Sequence, residues 1–390
     1  MKIFHQAGHN TIWNLTSFED DRTGDGIILS PVHLQKERLQ QIEYEIKACS
    51  LFDPQFYVPD SQKAKLQSYD FFPETLMEGF STNDYESQAY EAAEKCLEFQ
   101  VQNNFESLII PGRYFSELAS DYVRQQNGLF VEPFLHAYRR NGTIKKLFLT
   151  VPMTSAMLLD NDYRISILDW ATSYPEIYGA YLLIFFDEAS KQIQNFDKLM
   201  AYIEFIGELK DADLEIICGY CNTEGLILTM LEPYGITVGA YENTRSFSID
   251  KFLEDDRERR GPAARIFLPN LLNSVRWSTA DEIRSDFSEL WHDIYTPTAY
   301  SEAVFDSGQA PHFSQPPLYK HQFQLMSYIY DELSNQSLSE RKENITYRIR
   351  RASELYNRIE ASGVLFFDDN CRGGHLPVWN RILRRLPLGS

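Results

Sequence analysis

Eight times along its first 270 residues the chain passes through a short run of β-branched, aliphatic and aromatic residues and then through a longer stretch with helical periodicity. The runs are Gly26–Pro31, Leu51–Tyr57, Ser107–Gly112, Lys146–Pro152, Ile177–Phe186, Leu214–Tyr220, Gly235–Tyr241 and Ala264–Asn270. Several are continuously apolar, as strands covered on both faces are. In the stretch Phe196–Leu209, Leu199, Tyr202, Ile203, Ile206 and Leu209 form a single helical stripe. A right-handed βα unit repeated eight times closes most simply into a barrel. The sequence therefore predicts an α/β protein with a TIM-like (β/α)8 barrel; one strand fewer would leave an open doubly wound sheet.

Pro297, Pro311, Pro316 and Pro317 interrupt helical continuation after the eighth run. This places a barrel over residues 1–300, a Pro-rich linker over 301–318 and a helical segment over 319–390 packed on the barrel. In that segment Tyr319–Leu333, Asn344–Ala361 and Leu376–Leu386 have helical patterns. It carries eleven Lys and Arg against eight Asp and Glu, about +3, in a chain whose formal charge is −19. The segment is thus suited to an acidic protein partner or to its own barrel. The overall negative charge disfavours nonspecific nucleic-acid binding.

The opening MKIFHQAGHNTIWNLTSFEDD has no signal-peptide core, and the longest strongly apolar stretch, Ile177–Phe186, is about half the roughly twenty residues a membrane helix needs. A cytoplasmic protein without a membrane anchor is expected. The five cysteines fit reduced thiols better than a disulfide framework.

In a barrel, chemistry collects just after the strands. Ser30, His33, Asp53, Gln55, Tyr57, Arg113 and Tyr114 follow the first three runs. Two dense segments end the sixth and seventh: Cys218-Gly-Tyr-Cys-Asn-Thr-Glu224 and Gly239-Ala-Tyr-Glu-Asn-Thr-Arg245. Glu224 and Glu242 would face each other across adjacent strand ends. Cleavage of a glycosidic bond uses two such carboxyls, one protonated and one ionised. Glu224, Glu242 and, in reserve, Asp53 are the catalytic candidates. Arg113 and Arg245 would bind an anionic part of the substrate, Asn222, Asn243 and Gln55 its polar groups, and Tyr57, Tyr114, Tyr220 and Tyr241 would line the cleft. The competing structural reading makes Asn222-Thr223 a helix cap with Glu224 in the first turn.

Cys218-x-x-Cys221 and Cys371-x-x-x-His375 have the residue types of a structural zinc site, yet residues three apart on a strand point to opposite faces. No metal is therefore expected. Arg257, Arg259 and Arg260 lie in a mixed-charge loop that reads as a lid in its functional version. No cofactor signature occurs: dinucleotide-binding, phosphate-cradling and nucleophile-elbow motifs are missing, and Lys145 and Lys146 stand at the wrong strand end for a Schiff base. The expectation is a hydrolase or transferase that cleaves or exchanges a glycosidic or N-glycosidic bond in a sugar, nucleoside or nucleobase substrate. The alternative is a non-catalytic binding or assembly subunit of a larger prokaryotic complex.

Overall fold

Strand β1, Lys2–Gln6, opens the barrel in the computed structural model, which describes residues 1–77, 81–239, 241–254, 261–366 and 368–386. It is followed by β2 (Gly26–Leu29), β3 (Leu51–Phe52), β4 (Leu108–Ile110), β5 (Leu147–Thr154), β6 (Ile177–Phe185), β7 (Glu215–Cys218) and β8 (Gly235–Gly239). All eight pair in parallel in the order β3-β2-β1-β8-β7-β6-β5-β4. Backbone bonds from Glu106 N–H to Ser50 O at 3.0 Å and from Tyr114 N–H to Tyr57 O at 3.1 Å join the two edges on either side of β3 and β4. The sheet is a nearly closed (β/α)8 barrel.

The strand count matches the sequence, but its membership differs. β1 is absent from the eight runs because His5 and Gln6 interrupt its apolar character; both are buried all the same. The eighth run contributes β9 (Arg265–Leu268), which pairs antiparallel with β10 (Asn273–Arg276) in a separate two-stranded sheet. Pro269–Leu271 turns the chain between them, with Leu272 left-handed at φ 51°, so a hairpin forms where a crossover helix would be needed. The expected sixth and seventh strands are thus β7 and β8, and they remain neighbours.

Helices cover the outside of the barrel. Phe196–Asp211 presents the predicted stripe inward, with Leu199, Tyr202, Ile203, Ile206 and Leu209 all buried. The expected Ser155–Trp170 helix divides at Asp160, whose side chain accepts from Tyr163 N–H and restarts the chain as Asn161–Ala171. Within Ile249–Arg257 the described residues form turns, and 255–260 lie outside the described residues together with the candidate lid arginines.

The C-terminal helices are Pro317–Ser334, Leu338–Ala361 and Leu376–Arg385. A short helix, Ala299–Asp306, also forms within the proline-rich stretch. The Pro317–Ser334 helix meets the barrel directly. Gln322 Nε2 donates to Gly239 O at 3.1 Å, and His5 stacks on Phe323 at 4.3 Å. No described helix is long and apolar enough to cross a membrane.

Candidate active site

The C-terminal ends of the strands converge on a buried polar cluster. Asp53 follows the two-residue β3 directly, and Pro54 stops the strand because it has no N–H to extend the ladder. Asp53 Oδ1 accepts from the Tyr57 hydroxyl at 2.6 Å and the Gln55 N–H at 3.1 Å. Its Oδ2 lies 3.5 Å from both the Gln55 amide nitrogen and the Tyr181 hydroxyl.

Gln55 extends the network across the mouth. Its Nε2 donates to Ser30 Oγ at 2.6 Å and to the Tyr220 hydroxyl at 3.3 Å, while Oε1 accepts from Val32 N–H at 3.0 Å. Gln6 Oε1, at the end of β1, accepts from the Tyr181 hydroxyl and the Tyr220 N–H, both at 3.4 Å. Gln55 and Tyr220 have left-handed backbones, with φ of 58° and 55°. Such conformations cost non-glycine residues about 1–2 kcal/mol each and concentrate at functional sites. Gly219 is required beside Tyr220, since a Cβ there would stand 2.6 Å from the Tyr181 and Leu183 side chains.

Lys251 completes the cluster from the segment after β8. Its ammonium donates to the Tyr220 hydroxyl and lies 3.8 Å from the centroid of that ring. Sequence reasoning missed it because a lysine twelve residues beyond a strand, in Ser-Ile-Asp-Lys-Phe, has no motif around it; the Asp53 carboxyl waiting across the mouth was the only available signal. Burial pulls the Lys251 amine down to about 7, against the opposing attraction of Asp53. Burial likewise pushes the Asp53 carboxyl up to about 6, although the Tyr57 bond, the Lys251 charge and the Gln55 bonds favour its ionised form. Tyr57, Tyr181 and Tyr220 are all held in the neutral phenol form, first by burial and then by the Asp53 charge.

Two phenylalanines roof this network. Phe247 packs edge-on against Tyr57, Tyr114 and Tyr220 at 5.3, 5.6 and 5.5 Å, and Phe252 against Tyr57 at 5.4 Å. Ser61 Oγ donates to Phe252 O at 2.5 Å and ties the roof to the loop after β3.

Beside Tyr220 lies a cavity of about 20 Å³, lined by Tyr202, Cys221, Glu224, Arg245 and Phe247 among others. That is room for about one water molecule. Glu224 Oε1 accepts from Asn222 N–H at 2.7 Å, whereas Oε2 is buried without a hydrogen-bond partner among the described residues. Burial pushes this carboxyl up to about 7. The capping alternative is not realised: the Thr223 hydroxyl, with one proton to donate, lies between Gln192 Oε1 at 2.9 Å and Leu272 O at 3.1 Å, and Glu224 itself occupies the position before the Gly225–Leu228 turn.

The remaining candidates are placed differently. Glu242 pairs with Arg265 Nε at 2.5 Å, towards the β9–β10 hairpin, so it and Glu224 face different partners. Arg245 Nη1 donates to Ser274 Oγ at 2.9 Å and forms part of the cavity wall. Arg113 is held by Thr82 Oγ1 and Gln125 Oε1, both at 2.9 Å, on the β4 side. Tyr114 reaches the roof. Tyr241 turns away from it, stacking between Trp13 at 5.5 Å and Tyr319 at 4.5 Å. Asn222 Nδ2 donates to Lys191 O at 3.3 Å, and Asn243 is exposed in a turn.

The two pairs considered for zinc do not form a common ligand set among the described residues. The Cys221 thiol donates to Cys218 O at 3.3 Å, and its ionisation is suppressed by the hydrogen bond with Cys218 and by burial. Cys371 sits 3.1 Å from Arg265 Nη1, and the His375 ring lies 4.4 Å from that of Trp379. Among the described residues no group of three or more His, Cys, Asp or Glu is placed to share a metal ion.

No protein-family model matches the chain, and no curated protein matches it. Among solved structures, a dihydrodipicolinate synthase from Oceanobacillus iheyensis is similar over 78% of this chain and 79% of its own, at 8% identity and a TM-score of 0.24. The (β/α)8 assignment stands on the strand order itself.

Proposed function

We propose that this chain is a barrel enzyme working by general acid–base proton transfer at the Asp53–Tyr220–Lys251 cluster. The observation that carries the reading is one buried network in which Asp53, Gln55 and Tyr220 are hydrogen-bonded and the Lys251 ammonium reaches the Tyr220 hydroxyl, with burial pushing the carboxyl up and the amine down towards neutral pH. Groups poised near the working pH are the efficient proton carriers. For the reaction we propose cleavage or exchange of a glycosidic or N-glycosidic bond. Asp53, ionised at neutral pH, would act as nucleophile or base, and Glu224, half-protonated near 7, as the acid. Glu242, engaged by Arg265, is left out of this assignment.

The test is a panel of nucleosides and aryl glycosides incubated at pH 7 with wild type, Asp53→Asn and Lys251→Met, with released base or aglycone read by chromatography. Wild-type release that falls at least a hundredfold in both folded variants is expected. Turnover unchanged by Asp53→Asn removes the mechanism.

A second reading, a binding or assembly subunit located in the cytoplasm, draws on a cleft of about 670 Å³ outside the barrel mouth. Asp293, Glu332, Glu343, Tyr347, Arg348 and Arg351 line it, and its charges would suit a protein partner of mixed charge. Native mass spectrometry of protein purified from its own cells decides: a stable stoichiometric partner supports this reading, a free monomer the enzyme.

A further inference from the structure

The ends of β1, β2 and β3 bring a second set of groups to the barrel rim. His9 follows β1, His33 follows β2 and Lys65 lies in the loop after β3, beside Lys251 of the reacting cluster, which lies beyond β8. The His9 and His33 rings meet edge to face at 6.2 Å. Lys65 Nζ donates to the His33 carbonyl at 2.8 Å, which holds its ammonium beside the imidazole. The backbone N–H of His33 donates to the backbone carbonyl of Ser30 at 3.0 Å in a turn, and the Ser30 hydroxyl separately accepts from Gln55 Nε2, which places the rim group next to the Asp53 network. His33 Nε2 is buried without a hydrogen-bond partner among the described residues. A buried ring nitrogen left in that state is destabilising unless a ligand or water completes it.

We infer that His9, His33 and Lys65 form an oxyanion subsite that takes a carboxylate or phosphate group of the substrate. The subsite rests on the mouth cluster being the reacting centre, since it would seat the charged end of a substrate that reacts there. Burial is the main cause that depresses His33 to about 3, and the charges of Lys251, His9 and Lys65 push in the same direction. All three neighbours acting on it are thus basic, and an anion placed among them would relieve their mutual repulsion. In a chain of net charge −19, a local group of basic nitrogens at the one end of the barrel where ligands bind marks the preference for an anionic substrate.

The experiment is calorimetric titration of the whole protein with inorganic phosphate and, separately, with succinate, paired with NMR of the His9 and His33 imidazoles. The variants are His9→Ala and Lys65→Glu, both at the rim and neither in the reacting cluster. Saturable binding of either anion, moving both imidazole signals and weakened at least tenfold by each substitution, supports the subsite. The stronger of the two anions names the group. No saturable binding, or binding that both substitutions leave unchanged, overturns it. Because the readout is binding, the outcome is independent of whether Asp53→Asn abolishes turnover.

Discussion

The Lys251 ammonium takes Tyr220 twice, donating to its hydroxyl while lying 3.8 Å from the centroid of its ring. Tyr220 also accepts from Gln55 Nε2, and Gln55 bonds Asp53, so amine and carboxyl belong to one buried chain. Two groups coupled in this way lose their protons in steps that belong to the pair.

Replacing the carboxyl is therefore expected to move the amine. Asp53 is the influence that raises Lys251 against burial, so in Asp53→Asn the amine should titrate below about 7. Competitive acetylation across pH, read at Lys251 by mass spectrometry, reports the midpoint. A midpoint that stays in place or rises would show that the two groups do not sense each other.

Glu224→Gln tests the second carboxyl through stability. The folded-state value of about 7 stands above the ordinary 4.5, so the group's contribution is complete below the unfolded value and is lost as pH rises through about 7. The amide has no such loss. The variant should gain on wild type between pH 5 and pH 8 in urea denaturation. A stability difference that stays flat across that interval is incompatible with a buried, partnerless Oε2.

The roof makes a packing prediction. Phe252 is fully buried, and its ring covers Tyr57. Phe252→Ala should cost about 3–5 kcal/mol, whereas Phe252→Leu, which keeps most of the volume, should cost under about 1.5 kcal/mol. Equilibrium unfolding measures both. A loss below 1 kcal/mol for the alanine variant would mean that the ring is not part of a packed cover.

The parts of this arrangement that the sequence makes legible are those carried by continuous apolar character. Ile177–Phe185, Gly235–Gly239 and Leu108–Ile110 announce themselves because parallel strands are buried on both faces. Lys2–Gln6 does not, because His5 and Gln6 point into the protein, where His5 Nε2 lies 2.9 Å from Thr23 O and Gln6 Oε1 accepts from Tyr181 and Tyr220. Arg265–Leu268 has the composition of a barrel strand, and only the turn at Pro269–Leu271 diverts it into a hairpin. Asp53, Gln55, Tyr57 and Tyr220 could be named in advance because each sits within a few residues of a strand end. Tyr181 lies inside β6 and Lys251 far beyond β8, so both reach the cluster through tertiary placement that no local pattern encodes.

Lys251→Met isolates the amine. An unfolded lysine titrates near 10.4, whereas Lys251 in the fold titrates at about 7. Between those values the unfolded chain binds a proton that the folded chain does not. Folding stability from this group therefore rises with pH across the window and is lost as pH falls through about 7. One such group sets a slope of at most about 1.4 kcal/mol per pH unit. Methionine keeps most of the stem's packing and removes the proton. It also removes the cation that favours ionised Asp53, so the carboxyl in the variant should titrate above about 6 and weaken the variant further as pH rises. Both effects have the same sign: wild type minus variant should grow steadily in urea denaturation at pH 7, 8 and 9. A difference that stays flat with pH would place the Lys251 amine in solvent rather than in the Tyr220–Asp53 chain.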